Sequence, residues 1–281
     1  MSVAAPNLGG MGWYTPAPVA PDLSEALVCA WSARAEGRQL LVPDGCVDVL
    51  WIAGVGVRVC GPETSAWSFT LPRGSESFGI RFRPGAAPHV LRTSAAHIRD
   101  TRVALEDILG SAVERTLIDR LEHAADTTAR LTILQDTGRQ WLTGQRAPDP
   151  LAARITSALA ARSWSVEQLA DASSMTSRQL HRRCNEAFGY GPSTLRSILR
   201  LQRFMALARA GRHGGLATLA AESGFSDQAH LSRECRRIAS LTPTALLASE
   251  APDWHGEASV LDAGVRSVQD RTVTTNGESA A

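Results

Sequence analysis

Two arginines, Arg182 and Arg233, hold the same place in a local pattern that occurs twice in this chain. The first copy contains Leu169-Ala170 and Leu180-His181-Arg182-Arg183-Cys184, and the second contains Leu219-Ala220 and Leu231-Ser232-Arg233-Glu234-Cys235, 51 residues later. A guanidinium group fits the O6 and N7 acceptors of guanine in the DNA major groove and gives about 1–3 kcal/mol of discrimination. It also binds phosphate oxygens, which position a protein without reading sequence. Base contact and phosphate contact are therefore the two alternatives for both arginines.

The elements that position these arginines are predicted to be two pairs of helices, each pair joined by a tight turn. The second helix of each pair starts at a small polar residue, Thr176 in the first copy and Ser226 in the second, which are interpreted as N-terminal caps. Ser165 followed by Gln168 has the spacing of a capping box. The pattern predicts two helix-turn-helix units that read successive turns of DNA.

A long amphipathic helix is predicted to connect the two units. Gly189 is expected to end the helix that carries Arg182, and Pro192 fits the first turn of the next helix, which should end near Gly211. The alternation of apolar and polar positions then separates an inner face from an outer face in each unit. The residues predicted to look outward are Arg178, His181 and Arg182 in the first unit, and Gln228, Ala229, Ser232 and Arg233 in the second.

The charge of the chain is concentrated in the segment that contains this repeat. Residues 1–150 have 14 arginines and 16 acidic residues, residues 151–250 have 13 and 7, and residues 251–281 have 2 and 5, with no lysine anywhere. A local excess of positive charge supplies the non-specific attraction to nucleic acid. A solvated basic helical face is the alternative explanation.

Other polar residues of the repeat have less specific expectations. Gln228 could read adenine, with phosphate or solvent contact as alternatives. Arg183, Arg196 and Arg200 are expected to bind phosphate or to face solvent.

The region before this repeat has the pattern of an antiparallel β-domain, so the fold class is predicted to be α+β. Short runs rich in Val, Ile, Trp and Phe lie between turn signals at residues 26–32, 39–42, 47–52, 55–60 and 77–82. After Pro84 the apolar residues recur at helical spacing. We therefore predict a β-rich barrel or sandwich over residues 1–100, a helical connector and linker over 101–148, a helix-turn-helix domain over 149–250 and a disordered tail over 251–281.

The composition limits the class of protein. A chain of 281 residues, 44% apolar and 20% charged, is long enough for two domains with their own cores. No stretch is apolar enough to cross a membrane, and residues 1–12 lack the pattern of a signal peptide, so a cytoplasmic protein is expected. The five cysteines form no CxxC pair and are odd in number, which favours buried thiols over disulfides.

The second unit resembles a known family. Gly224 to Arg233, read as Gly-Phe-Ser-Asp-Gln-Ala-His-Leu-Ser-Arg, followed by Leu241-Thr242-Pro243, is similar to the signature of AraC/XylS transcriptional regulators, and Leu180 to Arg183 match their first recognition helix. The resemblance covers about 85 residues and implies an all-helical DNA-binding domain whose two recognition helices enter adjacent major grooves. Carried over by position, the first helix offers Arg178, His181 and Arg182, and the second offers Gln228, Ser232 and Arg233.

Three residues depart from the pattern of that family. Cys184 and Cys235 stand where the family usually has Phe, and Ser240 stands where Gly is usual. The smaller thiols are expected to loosen the packing of both units. Ser240 is expected to adopt a left-handed backbone conformation at a cost of about 1 kcal/mol.

The N-terminal region is similar to the N-terminal domain of a poorly understood AraC subgroup. The resemblance rests on residues 41–51, 61–64 and 79–87, and it implies a cupin-like domain that senses a ligand or mediates dimerisation. Four polar residues are candidates for a pocket: Asp44, Cys46, Asp48 and Arg81. Each also has an ordinary structural role as an alternative. Asp44 could cap a turn, Cys46 could pack in the core, and Asp48 and Arg81 could form an ion pair.

Enzymatic and cofactor-dependent functions are not expected. His89, His97 and His123 lie at or beyond the end of the strand region, and three widely spaced N-terminal cysteines cannot build a four-thiolate zinc site. The chain has no glycine-rich phosphate loop, nucleophile elbow or zinc-protease motif. The sequence therefore predicts a DNA-binding transcription regulator without metal or cofactor.

Four partners are expected for such a regulator: double-stranded DNA, a small-molecule effector, a second copy of the chain and, for an activator, RNA polymerase. No membrane partner is expected. The alternative function is a small-molecule binding module that has only non-specific affinity for DNA.

Overall fold

The computed structural model describes residues 14–143, 150–160, 164–210 and 215–249. These residues form eight strands: β1 (Tyr14–Ala17), β2 (Leu27–Arg34), β3 (Arg38–Leu41), β4 (Val47–Ile52), β5 (Gly56–Cys60), β6 (Trp67–Thr70), β7 (Glu76–Phe82) and β8 (Arg102–Ala104). The five predicted runs correspond to β2, β3, β4, β5 and β7. Strands β1, β6 and β8 were not predicted.

The strands form two antiparallel sheets. Six of them are arranged in the order β1-β2-β7-β4-β5-β8, and β3 pairs with β6 in a separate two-stranded ribbon. In the large sheet Asp48 lies opposite both Cys60 on β5 and Arg81 on β7, so the centre of the sheet brings polar side chains of three strands together. The antiparallel β-region predicted from the sequence is confirmed, and its likeness to a cupin stays a prediction.

The two faces of the large sheet have different environments. On β4, Val47, Val49 and Trp51 are buried, while the alternating Asp48, Leu50 and Ile52 are only half-buried. The buried set packs with residues of β7 and the helices into the main N-terminal core. The other face of β4 is directed away from that core because successive strand residues alternate in direction. This second face lies opposite the β3–β6 ribbon, since both sheets line one cavity.

The α-helices begin after β7, and the strand β8 lies between the second and the third of them. The helical spacing predicted from Leu105 onward corresponds to the third, fourth and fifth helices. In the first half of the chain the helices are α1 (Ala87–Leu91), α2 (Ala95–Ile98), α3 (Glu106–Leu109), α4 (Ser111–Glu122) and α5 (Thr127–Leu142). In the second half they are α6 (Pro150–Ala160), α7 (Val166–Ala172), α8 (Ser177–Phe188), α9 (Pro192–Arg209), α10 (Gly215–Ser223), α11 (Gln228–Ala239) and α12 (Pro243–Ser249). The predicted α+β fold class is confirmed.

The helices of the second half pack around two separate cores that share α9. Leu195 and Ile198, near the start of α9, join the core of α6, α7 and α8. Phe204 and Met205, near its end, join the core of α10, α11 and α12. Because one continuous helix contributes to both cores, the relative orientation of the two units is fixed by α9.

Three further expectations concern the whole chain. The five cysteines are free, four of them buried and Cys60 half-buried, as predicted. Among the described residues, no helix combines the length and apolarity needed to cross a membrane. The predicted tail and most of the predicted linker fall outside the described residues, and the domain boundaries stay a prediction.

Candidate nucleic-acid interface

Helix α8, which is predicted to be the first recognition helix, begins at a complete capping box. Thr176 Oγ1 accepts a hydrogen bond from the Gln179 backbone N–H at 3.2 Å, and Gln179 Oε1 accepts one from the Thr176 N–H at 2.8 Å. The cap at Thr176 is confirmed, as is the box formed by Ser165 and Gln168 at the start of α7. The role of Gln179 was not predicted, although Thr-x-x-Gln is the sequence signature of such a box.

The apolar residues of α8 are buried, and its basic residues face solvent. Leu180, Cys184 and Phe188 are at most 1% exposed, whereas Arg178 and Arg182 lie on the exposed face. Neither of these two arginines forms an ion pair within the part of the chain that the structure describes. Two guanidinium groups of α8 are therefore available to an anionic or base-edge partner.

His181 is exposed but held by the protein. Its Nδ1 lies 2.9 Å from Asn185 Nδ2, one turn later in α8. Its ring covers Gly191 so closely that a Cβ at that glycine would be 2.5 Å from Nε2. These contacts fix the orientation of the imidazole. His181 is therefore less available for contact with a base than Arg178 and Arg182 are.

Helix α11, which is predicted to be the second recognition helix, begins one residue later than expected. Its cap is Asp227, whose Oδ1 accepts a hydrogen bond from the His230 N–H at 2.6 Å, and the prediction of Ser226 as the cap is wrong. Ser226 Oγ lies instead 3.0 Å from His230 Nδ1. The bond from the His230 N–H lowers the pKa of Asp227. Position 227 lies 51 residues after Thr176, which is the offset between the two copies of the repeat. The repeat therefore indicates Asp227 as the cap that corresponds to Thr176.

The outward residues of α11 include one unpaired arginine. Gln228 and Arg233 are exposed, and Ser232 is half-buried. The neighbouring Glu234 is bound by Arg237 at 2.9 Å and 2.7 Å, and this hydrogen bonding lowers the pKa of Glu234. Arg233 forms no ion pair with any residue that the structure describes, and its charge contributes to the lowered pKa of Asp227.

Arg182 and Arg233 occupy matching positions in the two units. Helices α8 and α11 are both 12 residues long, and each arginine is the sixth residue of its helix. Both lie in the turn that follows the capped first turn of the helix, so the backbone conformation at each arginine is fixed. The six residues predicted to contact DNA thus divide into two sets of three, one set on each of these helices.

Arginines of the connecting helix α9 have a different environment. Arg203 Nε donates to the Glu222 carbonyl at 3.0 Å and ties α9 to α10, which is a structural contact. Burial and the neighbouring Arg196 lower the pKa of Arg200. Arg196 and Arg200 are both half-buried.

The N-terminal region contacts the first unit at the end of α8. Arg99 Nη1 donates to the Gly189 carbonyl at 2.9 Å, and Ser94 Oγ lies 3.4 Å from the Glu186 carbonyl. Ser94 and Ala96 also line a groove together with Arg178 and Arg182. Sequence reasoning missed α2 and therefore this neighbour of the recognition helix.

Other parts of the N-terminal region contact α9 and the second unit. Gln202, buried on α9, donates to the Pro43 carbonyl at 2.7 Å, and the Ala66 N–H donates to the Ile238 carbonyl at 2.6 Å. Val42 is a buried member of the second helical core. Both units are thus in direct contact with the β-region.

The four residues predicted for an N-terminal pocket lie together. Asp44, Cys46, Asp48 and Arg81 all line one small cavity of about 40 Å³. Arg81 makes a two-pronged contact with Asp48, at 3.1 Å and 3.0 Å, and lies 3.4 Å from Asp44. Asp44 also accepts a bond from the Cys46 N–H at 2.7 Å. The structural roles considered for these residues are therefore all present, and a ligand-binding role stays a prediction.

A larger cavity of about 240 Å³ lies next to this cluster, between the two sheets. Asp48 and Arg81 line both cavities. Burial raises the pKa of Asp48, and the charge of Arg81 opposes that shift. Glu63, which lines the small cavity, has its pKa raised to about 7 by burial, against the opposing effect of its partner Arg102.

The described residues contain no group of three or more His, Cys, Asp or Glu side chains arranged to hold a metal ion. Burial also raises the pKa of Cys184 and of Cys235 to about 12, so these two thiols are protonated at neutral pH. Both side chains are fully buried in the cores of the two helical units.

Comparison with known proteins separates the same two regions. Residues 169–249 match the model of a helix-turn-helix domain family, and residues 15–104 match the model of a domain of unknown function, DUF6597. The first match covers both units and is of the AraC type indicated by the motif. No curated protein matches the chain in sequence.

Several solved structures of ToxT from Vibrio cholerae align with the chain. ToxT of strain O395 is 13% identical, with 78% of this chain and 97% of that chain covered and a TM-score of 0.42. An apo variant of ToxT from strain SCE256 is 12% identical, with 79% and 97% covered and a TM-score of 0.43. Wild-type ToxT of that strain, bound to an unsaturated fatty acid, is 13% identical, with 78% and 94% covered and a TM-score of 0.39.

Proposed function

We propose that this chain, whose residues 169–249 form an AraC-type helix-turn-helix domain, is a sequence-specific transcription regulator that reads DNA with α8 and α11. The observation that carries the proposal is the equivalence of Arg182 and Arg233. Both are exposed at the sixth position of a capped 12-residue helix, without a carboxylate partner among the described residues. Side chains of this kind are suited to bidentate contact with guanine.

The N-terminal region is proposed to control how the two helices meet the DNA. It contacts the end of α8 through Arg99, α9 through Pro43 and the second unit through Ala66. A change in the β-region would therefore reach both units through packed contacts. We propose that a small-molecule signal or dimerisation with a second copy produces this change, and that an activating form would also contact RNA polymerase.

The test is selection of bound DNA sequences followed by footprinting with wild-type protein and three single variants. Wild-type protein should protect one asymmetric site of about two helical turns. Arg233→Ala should lose base preference at one position of one half-site, with about 5- to 150-fold weaker binding to the preferred site. Arg182→Ala should do the same in the other half-site. Arg115→Ala, at an exposed position on α4, should leave affinity and preference unchanged.

Uniform weakening of all sequences by Arg233→Ala would assign this residue to a phosphate contact. If the wild-type protein gives no discrete footprint and binds every sequence with the same steep salt dependence, the regulator proposal is wrong. The alternative, a small-molecule binding module with non-specific DNA affinity, would then be favoured.

A further inference from the structure

The cavity between the two sheets has aromatic walls on both sides. On the side of the large sheet, Trp31 and Tyr14 lie with ring centroids 5.3 Å apart. On the side of the ribbon, Trp67 and Phe69 lie 5.4 Å apart. All four residues line the cavity. Flat apolar surfaces on two opposite walls favour a planar molecule between them, because offset or tilted ring packing adds to the burial of apolar area.

The wall at Trp31 is held in place before any ligand arrives. Its indole N–H donates to Asp48 Oδ1 at 2.8 Å. Its ring lies directly on Gly79, where a Cβ would be 2.5 Å from the indole, so glycine is required on β7 for this position of the ring. A preformed wall lowers the entropy cost of binding.

The size and opening of the cavity limit the ligand. Its volume, about 240 Å³, exceeds the roughly 150 Å³ of an apolar cavity that holds benzene, and it is below the roughly 300 Å³ at which drug-sized pockets begin. Val55, 53% exposed beside the β4–β5 turn, lines the same cavity and marks its opening to solvent. A molecule with one or two rings fits these dimensions.

Three arginines line the cavity, and one of them differs from the other two. Arg81 is paired with Asp48, and Arg102 is paired with Glu63 and lies over the ring of Trp67. Arg58 on β5 donates to the neighbouring Val57 carbonyl at 3.0 Å and forms no ion pair with any residue that the structure describes. Of the three, Arg58 is therefore the one without a carboxylate at ion-pair distance among the described residues.

We propose that this cavity binds an aromatic carboxylate with one or two rings, whose rings lie between the two aromatic walls and whose anionic group pairs with Arg58. Asp48 and Arg81 are paired with each other on the wall of the cavity. They shape the site but do not bind the anionic group. Only the effect of this ligand on DNA rests on the proposed function; the binding itself does not.

The test is isothermal titration calorimetry of the full-length protein with benzoate, 2-naphthoate and indole-3-acetate, beside uncharged 2-naphthamide and octanoate. At least one of the three aromatic acids should bind, and 2-naphthoate should bind more tightly than octanoate or 2-naphthamide. Arg58→Met should weaken binding of the aromatic acids by about tenfold or more, because it removes a charge-assisted contact. The matched control Arg115→Met, on the exposed face of α4, should have no effect.

A second variant tests the position of the rings. Ala33 lines the cavity on β2, and Ala33→Phe would fill part of the space, so it should abolish binding of all the aromatic acids. Thermal unfolding of each variant would show that it is folded.

Four results would overturn the proposal: no heat with any aromatic acid at low-millimolar concentration, equal or tighter binding of 2-naphthamide, tighter binding of octanoate, or full affinity in Arg58→Met. Because the titration contains no DNA, none of them bears on the proposed regulator function. Loss of specific DNA binding with intact binding of 2-naphthoate would, conversely, contradict only the regulator.

Discussion

The two helix-turn-helix units have the same arrangement of helices, but the helices α8 and α11 end at different types of residue. Helix α8 ends at Gly189, with φ of 81°, and α11 ends at Ser240, with φ of 59°. These residues are 51 positions apart, as are the caps Thr176 and Asp227 at the opposite ends. Glycine adopts the left-handed conformation without the steric penalty that a Cβ introduces. The first unit therefore ends without backbone strain, whereas the second carries it at Ser240.

The difference reflects the neighbours of each helix end. A Cβ at Gly189 would lie 2.9 Å from Pro62 and 3.0 Å from the Ala95 carbonyl, both in the N-terminal region. Ser240, by contrast, is exposed. The second unit meets the N-terminal region through apolar side chains such as Val42 in its core. The first contact is a close approach that leaves no room for an added atom at Gly189. The second combines side-chain packing with the hydrogen bond from the Ala66 N–H to the Ile238 carbonyl, and it leaves Ser240 exposed.

The largest effect expected from this difference is that of Gly189→Ala. The added methyl group would impose left-handed strain of about 1–2 kcal/mol and displace Pro62 or α2 at a further cost of about 1–3 kcal/mol. We expect the free energy of unfolding to fall by about 2–5 kcal/mol in urea denaturation.

Ser240→Ala is the matched control at the equivalent position. It replaces one residue that has a Cβ with another, at an exposed site, and should change stability by less than about 0.5 kcal/mol. If Gly189→Ala proves as mild as Ser240→Ala, the close contact between the N-terminal region and the first unit is wrong.

A smaller effect is expected at the helix starts, where the two caps differ in charge. Thr176→Ala should lower stability by about 1 kcal/mol at every pH, because it removes a neutral hydrogen-bond acceptor. Asp227→Asn keeps a capping oxygen but loses the negative charge at the N-terminus of α11.

The effect of Asp227→Asn should depend on pH. The pKa of Asp227 is lowered in the folded protein, so its charge stabilises the fold above the pKa of the unfolded chain, about 3.9. That contribution is lost as the pH falls through the lower, folded-state pKa. Wild type and Asp227→Asn should therefore differ at pH 7 and converge below about pH 4 in thermal unfolding. A pH-independent difference would contradict a role for the charge.

The same comparison shows how far the sequence could predict the structure. Caps and stops such as Thr176, Gly189 and Pro192 were predictable because each depends on a few neighbouring residues. Ser240 was also predicted, as a left-handed residue, from the place of glycine in the family pattern. Asp227 was missed by one residue because Ser226 and Asp227 are both good caps.

Features that depend on distant parts of the chain could not be predicted. Strand β8 has three residues, Arg102–Ala104, and exists because it pairs with β5, more than 40 residues earlier. The four residues of the N-terminal cluster were correctly singled out as a group, but the cavity beside them depends on the gap between the ribbon and the large sheet. Arg58, the unpaired charge in that cavity, was not a candidate because its surroundings come from several strands.

The smallest expected effect is the reverse of the first substitution. Ser240→Gly would give the second unit the stop that the first already has, and it removes the left-handed strain of a residue with a Cβ. The gain is reduced because glycine makes the unfolded chain more flexible, so we expect stabilisation by about 0.5–1 kcal/mol in urea denaturation. Ser193→Gly, at an exposed position of ordinary conformation in the first turn of α9, serves as the control and should destabilise. If Ser240→Gly also destabilised the protein, the side chain of Ser240 would have to make a contact that stabilises the fold by more than the left-handed strain costs. The two helix ends would then differ because of that contact, and not because Ser240 lacks a close neighbour.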